Sequence, residues 1–198
     1  MSDVEGIELL TRAHTRLRDV AAGVPEGGWG APTPCGEWTV RQVLNHARLD
    51  QQAYGAAVTG TGWPDSDAFQ PSDEPVADAT AALDKLLADV ADVYAGLPAD
   101  MEAVPTPLGP LPLRVAAAAG AMDAGVHAWD IAVATGQRSP LDDELAGGIR
   151  LAADLLADHL RDAFGVFAPP RETPADAGPA ASLLAFLGRD PYWTPRSA

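Results

Sequence analysis

Three ionisable residues on one helical repeat make the first candidate for chemistry. They lie in the run Gly120-Ala-Met-Asp123-Ala-Gly-Val-His127-Ala-Trp-Asp130-Ile-Ala-Val-Ala-Thr-Gly136. Residues three, four and seven apart share a helix face, so Asp123, His127 and Asp130 point the same way. Ala116, Gly120 and Ala134 fall on that face too, and a helix that served only a core would carry Leu or Ile there. We read the small residues as room for a pocket. An Asp and a His at i, i+4 supply two converging donors, and His46 on another helix is the best third. His46, Asp123 and His127 form a His₂-carboxylate set with an open position, which suits Zn²⁺ and tolerates Ni²⁺, Fe²⁺, Co²⁺ or Mn²⁺. Spacing alone also fits a satisfied polar pair at a helix contact. Asp50 and Asp130 each lie one turn beyond a histidine of the set. They are the candidate catalytic carboxylates, placed to orient an imidazole N–H or to accept a proton. A structural bond competes with that role at Asp130.

The elements that must position these groups are helices. Apolar residues recur at helical spacing from about Asp3 to Ala22, from Thr39 to Gly60, from Val76 to Ala95, from Leu113 to Gly136 and from Leu141 to Phe164. Thr39-Val-Arg-Gln42 reads as a capping box. A short apolar helix is expected over 180–187, in a tail that is mostly irregular from about residue 165. Loops rich in Gly and Pro separate the helices, and a short hairpin is one option for 97–112. No half-buried strand pattern runs over any useful length. The expectation is a single all-α domain over 1–198: a four-helix bundle with an additional helix and long loops, a form that builds sites from side chains on facing helices. His14 and His159 lie along apolar stripes and read as packed histidines. Trp29 and Trp38 read as loop anchors, and Trp129 as packing.

Composition narrows the function classes. The chain has 198 residues, 47% hydrophobic and 21% charged, with a formal charge of −15. Its 13 cationic residues, Lys85 and twelve arginines, form no basic run. An acidic surface of this kind repels phosphate backbones, which argues against nucleic acid. Neither a signal peptide nor a bilayer-spanning run is read, so a cytoplasmic location is expected and no membrane partner. The single cysteine excludes an internal disulfide. Cys35 precedes a helix, where a thiol can be activated, but a small residue packed in a loop is the favoured reading.

Three stretches carry a resemblance. Thr33-Pro-Cys-Gly-Glu-Trp-Thr-Val-Arg-Gln-Val-Leu-Asn-His46 resembles a TPC-x-x-W-[ST]-V-R-x-L-x-x-H helix opening. Asp123-Ala-Gly-Val-His127-Ala-Trp-Asp-Ile-Ala-Val-Ala-Thr-Gly136 resembles D-x-x-x-H-x-W-D-L-A-x-A-T-G. Leu183-Leu-Ala-Phe-Leu-Gly-Arg-Asp-Pro191 resembles a C-terminal LLAxxGRDP. Together, and in order, they are similar to the DinB/YfiT-like metal-binding bundles, in the actinobacterial branch related to the N-terminal domain of mycothiol-dependent maleylpyruvate isomerase.

The resemblance implies one divalent metal held by His46, Asp123 and His127. Where the isomerase uses a glutamate ligand this chain has Asp123, and the isomerase's second, C-terminal domain is not expected here. The implied partners are a low-molecular-weight thiol, with mycothiol as the co-substrate, and a small-molecule electrophile. The implied activity is that of a thiol-dependent transferase or isomerase. A non-catalytic metal-binding or stress-related bundle and a metal-dependent hydrolase with Asp50 as base are the alternatives. Pairing of two copies through a helix face is compatible with a bundle.

Overall fold

The structure is a computed structural model that describes residues 1–36, 38–76, 78–98 and 101–195. Six α-helices follow in order: α1 (Asp3–Ala22), α2 (Val40–Thr59), α3 (Ala79–Ala95), α4 (Leu113–Ala134), α5 (Asp143–Phe164) and α6 (Pro179–Phe186). Among the described residues no strand forms, and no helix is long and apolar enough to cross a membrane.

α4 is the central element. It is apolar on every side, which is the pattern of a helix buried all round. Of its 22 residues only Arg114, Asp123 and Val133 escape full burial. α1, α2 and α5 pack around it, and its contact with α1 is the most extensive. The small residues of α4 make that closeness possible. A side chain at Gly125 would meet Ile149 Cδ1 of α5 at 2.9 Å, and one at Gly120 would meet Leu10 Cδ1 of α1 at 3.1 Å. Leu10, Leu17, Leu145 and Ile149 close the core from α1 and α5. Each such side chain stabilises the fold by about 1.5–3 kcal/mol on burial.

Helix ends follow local chemistry. Thr39 caps α2: its hydroxyl accepts from Gln42 N at 3.2 Å, while Thr39 N donates to Gln42 Oε1 at 3.0 Å. The loop before it supplies two more acceptors, Ala31 O for Val40 N and Trp29 O for Arg41 N, both at 3.0 Å. Those bonds fix the segment that carries Cys35. α2 also holds the loop after it, through Gln42 on Pro71 O and Asn45 on Ser72 O.

Two expectations are corrected. α3 begins at Ala79 rather than near Val76, because Asp78 takes a left-handed backbone (φ 48°) that breaks the helical path upstream. The hairpin over 97–112 reduces to one bridged pair, Val104 with Leu111, turning at Gly109 (φ 95°). Prolines on both sides lack the N–H groups that a longer ladder needs.

Candidate metal centre

His46 from the second turn of α2 and Asp123 and His127 from the middle of α4 converge at the floor of a cavity of about 610 Å³. Their donor atoms all lie within 4.8 Å of one another. His46 Nε2 is 3.6 Å from Asp123 Oδ1, and His127 Nδ1 is 2.9 Å from the same oxygen. Bonds of about 2.0–2.1 Å to a tetrahedral Zn²⁺ set neighbouring donors about 3.4 Å apart. The donor types and spacing therefore fit a divalent ion. Backbone carbonyls orient both rings. His46 Nδ1 donates to Ala68 O at 2.8 Å, which turns the lone pair of Nε2 toward Asp123. His127 Nδ1 lies 2.9 Å from Asp123 O, one turn back on the same helix. Partners of this kind fix the tautomer of a ligating histidine.

The rest of the cavity is largely apolar. Trp38 leans on His46 with ring centroids 4.8 Å apart, and Phe69, Phe164 and Leu108 stand exposed around the rim. Asp50, one turn beyond His46, places Oδ2 3.6 Å from His46 Nε2 and lines the same cavity.

Charge within the cluster is unevenly shared. Burial and then the neighbouring His127 charge push His46 down to about 4, so its ring is neutral at neutral pH. Burial and then the Asp123 carboxylate push Asp50 up to about 8. Burial opposes charge on His127, but Asp123 outweighs it and holds that imidazolium well above the usual histidine range. Asp123 is lowered in turn, since the two histidines and Gln51 outweigh its burial. The metal-free cluster thus carries an Asp123–His127 ion pair beside a neutral His46 and a protonated Asp50.

The family model for the mycothiol maleylpyruvate isomerase N-terminal domain matches residues 10–132. The chain belongs to this family. Two relatives are uncharacterized proteins of Mycobacterium tuberculosis, from strain CDC 1551 / Oshkosh and strain ATCC 25618 / H37Rv. Each is 35% identical over 184 residues, covering 89% of this chain and 96% of the relative. A crystal structure of a histidine-to-alanine mutant of mycothiol-dependent maleylpyruvate isomerase matches the fold with a TM-score of 0.59. That match has 14% identity and covers 86% of this chain and 74% of the other. This family member is therefore a DinB-like all-α bundle, as the sequence led one to expect.

Several sequence readings need correction. Asp130 is fully buried and accepts three hydrogen bonds from Arg189, at 2.9, 3.1 and 3.2 Å. It anchors that guanidinium, and among the described residues no hydrogen bond joins it to either imidazole; the carbonyls of Ala68 and Asp123 lie against the rings instead. Ala116, Gly120 and Ala134 do not line the cavity; they lie buried in the helix contacts. Cys35 packs against the core from its loop, as read, and also forms part of the cavity wall. Arg189 Nη2 lies 3.7 Å from its sulfur, which stands within 4.8 Å of a ring nitrogen of His127. Trp38 is a wall of the cavity as well as a loop anchor. Trp129 is core packing, as read, while His159 is exposed and stands edge-on to Phe164.

Two residues escaped sequence reasoning. Gln51 is fully buried and donates to Asp123 Oδ2 at 2.6 Å. Arg189 reaches the site from the tail after α6. The available signals were an amide on the inner stripe of α2 and an Arg next to Gly188, which turns with φ 80° against Ala168 O.

Proposed function

We propose that this protein is a metal-dependent enzyme of thiol chemistry, a transferase or isomerase that uses a low-molecular-weight thiol such as mycothiol. The observation that carries the reading is the convergence of His46, Asp123 and His127 at the floor of a solvent-reachable cavity. These three residues would hold one divalent ion, Zn²⁺ foremost, with Ni²⁺, Fe²⁺, Co²⁺ or Mn²⁺ also compatible with the donors. Held there, such an ion would lower the pKa of a thiol brought to it and so would favour the thiolate near neutral pH.

The chain's own groups do the rest. Trp38, Met122, Val126 and Phe69 give the electrophile an apolar wall. Asp50 lines the cavity one turn beyond His46, where its carboxyl can pass a proton to or from an oxygen that changes charge. Asp130 acts through Arg189, which it fixes against the cavity beside Cys35.

The test begins with metal content by mass spectrometry on untagged protein, beside His46→Ala and His127→Ala. About one ion per chain, lost in both variants with helicity retained, is the expected result. Thiol consumption with mycothiol and a panel of electrophiles then tests catalysis. Absence of bound metal after reconstitution with Zn²⁺, Ni²⁺ and Fe²⁺ overturns the reading.

A further inference from the structure

A buried polar chain runs from α1 through α2 to α4 and ends on the proposed carboxylate ligand. His14 Nε2 is 2.8 Å from Gln51 Oε1. Gln51 Nε2 donates to Asp123 Oδ2 at 2.6 Å and to Gly120 O at 3.0 Å. His14 is 5% exposed and Gln51 0%. The donor sense is fixed by chemistry. A carboxylate and a carbonyl can only accept, so the amide NH₂ faces α4 and Oε1 faces His14, whose Nε2 must carry the hydrogen.

Packing alone does not account for this chain. His14 shares its face of α1 with the buried Leu10 and Leu17, and Gln51 shares its face of α2 with the buried Ala47, positions where an aliphatic pair would serve a core. Burying them costs desolvation, and His14 Nδ1 finds no hydrogen-bond partner among the described residues. What the arrangement does achieve is directional. With Oδ2 occupied by Gln51, Asp123 turns Oδ1 toward the imidazoles of His46 and His127, where the ion is expected. His14 keeps the amide from flipping, since a flipped Gln51 would aim Oε1 at the carboxylate.

We infer that Gln51 is a positioning residue that presents one oxygen of Asp123 to the metal, and that His14 locks Gln51 in the working orientation. The inference rests on the reading of Asp123 as a ligand. Outer partners of this kind hold about 10–100-fold in metal affinity.

The experiment measures Zn²⁺ affinity by competition with a chromogenic chelator, together with the visible spectrum of the Co²⁺-loaded protein and the urea stability of the metal-free protein. It compares wild type with Gln51→Leu, His14→Leu and the double variant. Gln51→Leu is expected to weaken Zn²⁺ binding by about 10–100-fold and to alter the Co²⁺ bands. His14→Leu moves both readouts the same way by less. The double variant no longer leaves His14 Nε2–H without its acceptor, so it is expected to be more stable than Gln51→Leu while its affinity stays low. A purely structural role predicts the reverse, with stability lost and affinity intact. Wild-type affinity and Co²⁺ bands in folded Gln51→Leu and in the double variant overturn the positioning role alone. Failure of the wild type to bind Zn²⁺ or Co²⁺ overturns both this inference and the function on which it rests.

Discussion

Asp123 and Asp130 stand two turns apart on the same helix, on the same face, and meet opposite fates. Asp130 is sealed: Arg189 arrives from 59 residues away and occupies both of its oxygens, with the pair 0% and 7% exposed. Asp123 keeps partners that can change. Gln51 takes Oδ2, and Oδ1 meets His127 at 2.9 Å and His46 at 3.6 Å beside a cavity. A carboxylate locked to an arginine holds structure together; one that meets imidazoles at a cavity can do chemistry. The residue type and its helical phase are the same at both positions, so the distinction lies in what the rest of the chain brings to each.

Four measurements can break or sharpen that contrast. The largest effect belongs to the sealed pair. Asp130→Ala leaves the Arg189 charge buried without a partner, and urea denaturation should show a loss of about 3–5 kcal/mol. Replacing both residues by apolar side chains, Asp130→Leu with Arg189→Met, should restore most of it. A double variant as unstable as the single one would show that the pair is not the reason for the loss.

Asp123→Asn is the matching change at the open acid. It should cost under about 2 kcal/mol of metal-free stability, because shape and most hydrogen bonds survive. It should also lower Zn²⁺ affinity by more than the roughly 100-fold that loss of an outer partner gives. Equal destabilisation at Asp123 and Asp130 would erase the contrast.

The third concerns protons. His127 is held charged by Asp123 in the metal-free cluster, and a ligating histidine must be neutral. Calorimetry in buffers of different ionisation enthalpy should therefore show about one proton released per Zn²⁺ bound near neutral pH. Affinity should rise with pH by up to about tenfold per unit. A flat profile would mean that His127 does not ligate.

The smallest effect is on metal-free stability against pH. Asp50 is raised to about 8 and His127 is raised as well, so the folded state keeps protons that the unfolded chain has released. Their contributions are full below the unfolded pKa values and are lost as pH rises. His46, depressed to about 4, contributes above its unfolded value near 6.5 and loses that contribution only toward acid. Between pH 6.5 and 8 stability should thus fall with rising pH, each raised group adding at most about 1.4 kcal/mol per unit. Asp50→Asn should make the fall shallower. Stability that rises over this window would contradict the charge assignment.

Much of the frame was legible residue by residue. The Thr39–Gln42 capping box starts α2 where its local hydrogen bonds say it must, and α1 and α4 run over the spans their apolar spacing marks. That Asp123 and His127 stand together was readable because helical phase brings them onto one side; that His46 meets them is a matter of how α2 packs on α4. Ala116, Gly120 and Ala134 were misread as pocket because an absent side chain looks the same in sequence whether it leaves a void or admits a neighbouring helix. Leu10 and Gln51 fill the space beside Gly120. Gln51 itself went unread because an amide within a helix stripe carries no mark of the partner it will meet 72 residues away.

By itself, then, the sequence determined what short-range physics can determine: helix ends, the apolar face of each helix and the donors that share a turn. Only the tertiary structure decided which carboxylate would be neutralised by an arginine from the tail and which would keep an oxygen facing a cavity. That choice depends on contacts between segments distant in the chain. Their pairing is set by how the helices pack around α4 and not by any local preference of the residues that meet.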